Sequence, residues 1–300
     1  MSDAVIGFGA NTQAATADPD ALRETIHRIA AWGLTHAELN LSRAFAIANG
    51  RVIPGQLAGL KRACREGGLA YTVHAPLRIN FYDTDHLELQ KDVVRSALDI
   101  TAEVGATLLN VHCGYSPPEV FRTERERLLR LEVETLAELA DYASSAGVTL
   151  AVENTFPEPH TGDVPDLPTL AGQIHQVDSP ALCGCLDVSH AALMSWICDR
   201  DLLEDISAFA PAVGHLHLND CFARERWDQL MPPSDHLAFG SGDLHLPVGW
   251  GSIDWNAVGA RLPLTRPTVV ILEVASHYWD AGLAESLETA RRALQPDPHS

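Results

Sequence analysis

The sequence predicts a (β/α)8 barrel formed by one domain over residues 1–300. Three observations predict it. Eight short apolar runs of strand character recur at fairly even spacing. Longer stretches with apolar residues at helical period lie between them. Nearly every run ends in a side chain able to bind a metal ion.

The strand candidates are, in order, "VIGFGA" from Val5, "HAELNL" from His36, "AYTVHA" from Ala70 and "TLLNVH" from Thr107. They continue with "VTLAVE" from Val148, "ALCGCLD" from Ala181, "VGHLHL" from Val213 and "TVVILEV" from Thr268. "DALRETIHRIAAWG" from Asp20 sits behind Asp18 and Pro19, which suit a helix start. "LELQKDVVRSALDITAEVG" and "ERLLRLEVETLAELADYASSAG" read as amphipathic helices that stop at glycine. The connections 75–84, 154–168 and 219–252 are long, and all follow strands. In a barrel they occupy the C-terminal face, where chemistry is found. A doubly wound open sheet fits less well, because "GFGANT" stops after two glycines and no GxGxxG follows the first strand. There is also no P-loop and no GxSxG elbow.

Composition narrows the function classes. A hydrophobic content of 46% is ordinary for a globular protein. No apolar run approaches the roughly 18 residues a membrane span needs. The N-terminus, "MSDAVIGFGANTQ", has no basic segment ahead of an apolar stretch, so no secretory signal is expected. The six cysteines form neither a CxxC pair nor a disulfide framework, which implies reduced, mostly buried thiols and a cytoplasmic location. A formal net charge of −19 opposes nucleic-acid binding, which depends on lysine and arginine. Lys61 and Lys91, the two lysines of the chain, fall in helical stretches, which argues against a Schiff-base lysine at a strand end.

The strand ends carry the functional signal. Glu38 lies on the second, His74 ends the third, His112 the fourth and Glu153 the fifth. Asp187 ends the sixth, with His190 just beyond; His217 ends the seventh and Glu273 the eighth. Asp243 and His245 stand in the loop before the last strand. Taken singly, a histidine at a strand end is ordinarily a hydrogen-bonded structural residue, and a glutamate pairs with an arginine. Taken together, these groups converge on one barrel mouth. Four carboxylates there, Glu153, Asp187, Asp243 and Glu273, would repel one another strongly. No strand end carries an arginine to compensate; Arg78, Arg224 and Arg226 lie further out in loops. A divalent cation held by carboxylate and imidazole would settle the charge. His215 shares strand parity with His217 and is expected to point inward beside it, supporting the ligands or serving as one directly.

The motifs "VHAP…IN", "VHCG", "VEN", "LDVSH", "HLHLND", "DLHLPVGWGSIDW" and "LEV" resemble the xylose isomerase-like TIM barrel superfamily, from about Val5 to Glu273. That superfamily includes sugar and sugar-phosphate isomerases and epimerases, endonuclease IV, and inosose or dehydroshikimate dehydratases. The epimerase type implies one metal held by Glu153, Asp187, His217 and Glu273, with His190 helping to hold substrate oxygens. The endonuclease type implies three zinc ions: His74, His112 and Glu153; Glu153, Asp187, His217 and Glu273; and His190, Asp243 and His245. All nine of those ligands are present. In the isomerase branch the additional histidines would line the substrate pocket.

The leading expectation is a divalent-metal-dependent sugar or sugar-phosphate isomerase or epimerase, using Mn, Co, Mg or Zn. It would work through a metal-stabilised enediolate, with Glu153 and Glu273, from strands lying across the mouth, as the acid/base pair. The alternatives are a multi-zinc phosphoester hydrolase, with up to three Zn, and a keto-polyol dehydratase. Trp227, Met231, Trp250, Phe156 and Tyr82 are candidate apolar walls, and Gly249 and Gly251 would let backbone approach the site. The expected partner is a small sugar or polyol, with no nucleic acid and no membrane; homo-oligomerisation is left open.

Overall fold

A computed structural model of the chain describes residues 4–12, 18–158, 161–225 and 230–295. Its eight long strands are Val5–Asn11, His36–Asn40, Ala70–His74, Leu108–His112, Thr149–Glu153, Leu182–Asp187, Val213–Leu218 and Thr268–Leu272. Each pairs in parallel with its sequence neighbours, and the eighth pairs with the first, so the sheet closes. All eight coincide with the strand candidates, and the architecture is a (β/α)8 TIM barrel.

The helices follow from local chemistry. Asp18 accepts the backbone N–H of Asp20 and caps Pro19–Ala31, with proline at the first turn. Leu87–Glu103 runs out at Val104 and Gly105, and Pro118–Ala146 ends at Gly147 in the left-handed region (φ 70°). That second helix begins well before Glu126, because Pro118 is a good first-turn residue. Helix Val188–Cys198 carries no periodic signal. Its first eight residues are all buried, so it has no polar face to reveal its period. Helix Leu202–Phe209 follows it, and a two-residue hairpin, Ile47–Ala48 with Arg51–Val52, decorates the second connection. None of these helices is long and apolar enough to cross a membrane among the described residues.

Alternation along each strand divides the core. Val73, Leu109, Val111, Val152, Leu186 and Leu216 join the large cluster between sheet and helices. Leu108, Ala151, Cys183 and Cys185 form a separate small cluster. Period two puts them on the face that also carries Asn110, Glu153 and Asp187, so they fill the barrel beneath its polar mouth. The cysteines are all free; five are buried and Cys198 is exposed.

Register brings the polar residues to one level. His74 pairs with Asn110, His112 with Glu153, and Asp187 with His217 as direct Cα partners. Lower down, Glu38 is partnered by Asn11 on one side and Thr72 on the other.

Candidate metal centre

Four side chains meet at the mouth. Ligand atoms of Glu153, Asp187, His217 and Glu273 all lie within 4.8 Å of one another, and all four residues are buried. His217 Nδ1 is 3.4 Å from Glu153 Oε1 and 3.5 Å from Glu273 Oε2. The strands that deliver Glu153 and Glu273 are separated by two others, so the two carboxylates flank the centre without standing diametrically opposite.

Each carboxylate is oriented by an amide. Asn11 Nδ2 donates to Glu273 Oε1 at 2.7 Å, Asn219 Nδ2 to Asp187 Oδ2 at 3.0 Å, and Asn110 Nδ2 to Glu153 Oε2. Asp187 also accepts the backbone N–H of His190. One oxygen and two nitrogens are left over: Glu153 Oε1 and both ring nitrogens of His217 are buried without a hydrogen-bond partner. Such atoms cost free energy unless something satisfies them. Three carboxylates and an imidazole suit Mn, Mg, Co or Zn, so the residues fit a divalent cation.

Around this set stand the further candidates. His74 Nε2 is 3.2 Å and His112 Nε2 3.6 Å from Glu153 Oε2. His190 Nδ1 is 3.4 Å from Glu153 Oε1, and its Nε2 is 3.5 Å from Asp243 Oδ2. His245 Nε2 is 2.8 Å from the same Asp243 oxygen. Three of these rings point Nδ1 at a backbone carbonyl: His74 at Ala75, His190 at Asn154 and His245 at Glu273. A ring donating from Nδ1 presents the Nε2 lone pair. All nine sequence candidates therefore gather in one cavity.

The electrostatics are those of a site built around positive charge. Burial pushes the Glu153 carboxyl up, but His217, His112 and His190 outweigh it and hold it well below the usual carboxylate range. Burial pulls the His74 imidazole down, yet its bond to Glu153 and the charges of Glu153, Glu38 and Glu273 raise it to about 9. His245 reaches about 10 against the same burial, carried by Asp243. His112, with more burial than compensation, falls to about 3. Asp187 is pushed up to about 6 by burial, His190 opposing and the other carboxylates adding to the rise. Imidazolium groups here do the neutralising that a cation would do, so cation binding should displace protons.

Four residues to which the sequence assigned no role hold the frame. Glu38, fully buried, lies beneath His217 and accepts from His215, Thr72 and Asn11. Asn11, Asn110 and Asn219 orient the carboxylates of the cluster. The available signal was parity: Asn110 and His112, and His217 and Asn219, are two apart on or next to one strand. His215 points inward as expected and donates to Glu38 at 2.9 Å. Cys185, His215 and His217 also bring ligand atoms within 4.8 Å of one another, below the main set.

A cavity of about 210 Å³ opens beside the centre, lined by His112, His190, Asp243, Phe156, Tyr115 and Arg78 among others. Phe156 is thus a wall, as expected. Tyr82 is not: it is buried, with its hydroxyl on Glu132. Trp250 turns away to bond Glu285 and pack on Tyr278. Gly249 and Gly251 approach Asp220 rather than the four-residue cluster, because the Asp220 carboxylate gathers this loop. It accepts from Gly249 N–H, Cys221 N–H and the Trp255 indole, and a Cβ at Gly251 would lie 2.2 Å from its Oδ1. Arg224 is exposed, with its carbonyl bonded by Gly242. Arg226 and Trp227 lie outside the described residues.

Comparison with known proteins follows the same lines. A family model described as "Xylose isomerase-like TIM barrel" matches residues 26–294. An uncharacterized protein of Methanocaldococcus jannaschii is 24% identical over 198 residues, which cover 63% of this chain and 64% of that protein. The chain therefore spans slightly under two thirds of that relative's length. The crystal structure of a D-tagatose 3-epimerase-like protein superposes with a TM-score of 0.69 at 19% identity, covering 96% of this chain and 99% of the other. The crystal structure of the IOLI protein with a binding zinc atom does so with a TM-score of 0.68 at 15% identity, covering 96% of each. At these identities the structural likeness is one of fold.

Proposed function

The chain belongs to the xylose isomerase-like TIM barrel family, and on that footing we propose that it is a divalent-metal-dependent isomerase or epimerase of a small sugar or polyol. The observation that carries this reading is the convergence of Glu153, Asp187, His217 and Glu273, with Glu153 Oε1 and His217 Nδ1 facing each other at 3.4 Å and both lacking a hydrogen-bond partner. The epimerase name of a fold neighbour agrees with it.

Glu153, Asp187, His217 and Glu273 would hold the cation. When bound, it supplies a Lewis acid for a substrate carbonyl and its neighbouring hydroxyl, and so acidifies the C–H bond between them. The protein's own part is proton transfer and placement. Glu153 and Glu273 flank the centre from different strands. One takes the proton from the substrate carbon and the other returns it, from the opposite face for epimerisation or to the neighbouring carbon for isomerisation. Asn110 and Asn11 hold these carboxylates in place, so little reorganisation is needed at the moment of reaction. His112 and His190 form the wall shared by the cavity and Glu153, which supports seating the substrate on the Glu153 side. Phe156, 5.2 Å from the His190 ring, offers an apolar face to a sugar's C–H surface.

The test is incubation of the cation-loaded protein with a panel of ketoses and keto-polyols in D2O, followed by NMR. Deuterium should enter the substrate at the carbon whose configuration or oxidation level changes. Interconversion without deuterium uptake, or no turnover across the panel, would remove this reading.

A second reading, a multi-zinc phosphoester hydrolase, is favoured by one observation. His74, His190 and His245 each turn Nδ1 to a backbone carbonyl and Nε2 toward a shared carboxylate, Glu153 or Asp243. That arrangement suits additional cations. The net charge of −19 weighs against a nucleic-acid substrate and leaves small phosphoesters.

A further inference from the structure

Glu38 is a buried carboxylate beneath the centre that the proposed chemistry does not use. It lies on the second strand, three strand positions round the barrel from the seventh, yet it reaches both histidines of that strand. Its Oε2 accepts from His215 Nε2 at 2.9 Å and from Thr72 Oγ1 at 2.9 Å. Its Oε1 lies 3.1 Å from His217 Nε2 and accepts from Asn11 Nδ2 at 3.2 Å. The same Asn11 amide nitrogen donates to Glu273 Oε1 at 2.7 Å. Glu38 is fully buried. A carboxylate so placed is costly unless its partners are good, and a glutamine or leucine would tie the strands together at less cost.

We propose that Glu38 is the positioning residue for the cation: it binds the Nε2–H tautomer of His217 from beneath, turns Nδ1 to the centre, and through Asn11 sets the angle of Glu273. The inference rests on the cation-binding reading above. The geometry argues for it in three steps. Glu38 lies nearer to His217 Nε2, at 3.1 Å, than Glu153 and Glu273 lie to Nδ1, at 3.4 and 3.5 Å, so a single ring proton is held at Nε2. Nδ1 then presents a bare lone pair toward Glu153 and Glu273; neither ring nitrogen has a partner of hydrogen-bond geometry, Nε2 approaching Glu38 to 3.1 Å. A negative charge behind the ring also makes Nδ1 a stronger donor toward a cation. His215 bonds the second Glu38 oxygen and keeps the first aimed at His217.

The test is Glu38→Gln, which preserves shape and removes the charge. The metal-free protein is titrated with Mn2+ and with Co2+, following affinity and, for Co2+, the visible absorption spectrum. We expect Kd to rise about 10–100-fold, the usual effect of losing such a partner, with an altered Co2+ spectrum. In the metal-free protein, at a pH where the ring carries a single proton, long-range 1H–15N correlation should show His217 as the Nε2–H tautomer, and the variant should shift it toward Nδ1–H. Thr72→Val removes a Glu38 partner without removing the charge and should leave Kd unchanged. An unchanged Kd and tautomer in folded Glu38→Gln would overturn the proposal. So would a Thr72→Val loss as large as that of Glu38→Gln, since loosening would then explain both. Should Glu38→Gln fail to fold, Glu38→Asp, which keeps charge but loses reach, should raise Kd while Thr72→Val does not; an unchanged Kd in Glu38→Asp overturns it. If the wild-type protein binds neither ion, the cation reading itself falls, and the tautomer measurement alone then decides the role of Glu38.

Discussion

Asp187 Oδ1 accepts the backbone N–H of His190 at 2.7 Å. One carboxylate thereby caps helix Val188–Cys198 and contributes to the four-residue centre. The cap orients the carboxylate, and the helix start places His190 against Glu153. A strand that ends in Asp-Val-Ser-His closes a local turn and builds the site in one move.

The two roles of Asp187 separate by substitution. Asparagine is as good a cap as aspartate, so Asp187→Asn should keep the thermal midpoint while divalent-cation affinity falls at least tenfold, of the order expected for a lost ligand. Asp187→Ala should lose affinity and also about 1 kcal/mol of stability. Calorimetric titration and denaturant melts read the two effects. Equal cation affinity in wild type and Asp187→Asn would exclude Asp187 as a ligand.

Glu153→Gln should abolish most turnover with the barrel intact. Losing a positioned acid or base typically costs about 10²–10⁴-fold in rate. Circular dichroism should be unchanged, since the substitution is isosteric. A loss smaller than tenfold would remove Glu153 from the proton-transfer step.

Chelation and metal counting discriminate between the two readings. Dialysis against EDTA should inactivate the protein, and a divalent ion should restore it. Elemental analysis should find one ion per chain for the isomerase. Three zinc ions per chain would transfer support to the hydrolase. Full activity in metal-free protein would exclude both.

The pH dependence of the metal-free protein has a defined sign. His74 at about 9, and His245 at about 10, lie above the ordinary imidazole value, so the folded state favours their charged forms. Their contribution is complete below about 6.5 and is lost as pH rises through those values. Asp187, raised to about 6, adds a loss in the same direction at lower pH. His112, depressed to about 3, works oppositely and costs stability below about 6.5. The thermal midpoint should therefore fall between pH 7 and about 10, and saturating cation should flatten that fall. A midpoint that is level or rising over this range would contradict the counter-charge account.

Asp220 should prove structural. Asp220→Ala strips the acceptor from Gly249 N–H, Cys221 N–H and the buried Trp255 indole. Leaving buried donors unmet costs about 1–3 kcal/mol each, partly recovered by water. Urea unfolding should show a loss of at least 1 kcal/mol, consistent with that range. A midpoint equal to wild type would show that the 247–255 segment is held by other contacts.

The barrel, and which polar residues stand at its mouth, were legible in the chain's local patterns. Strand and helix are encoded by local periods of 2 and 3.6, and the strands carry their polar residues at their C-terminal ends, as in "TVHA", "NVHC" and "AVEN". Closure of a parallel barrel then had to bring those ends together. Only the tertiary structure decided how the atoms are shared. It turned Trp250 and Tyr82 away from the cavity, gave the two loop glycines to Asp220, and sent Glu38 across the barrel to His217. The physical reason is reach: a period states which face a side chain takes, whereas its contacts depend on the chords across a closed ring, which no local pattern records.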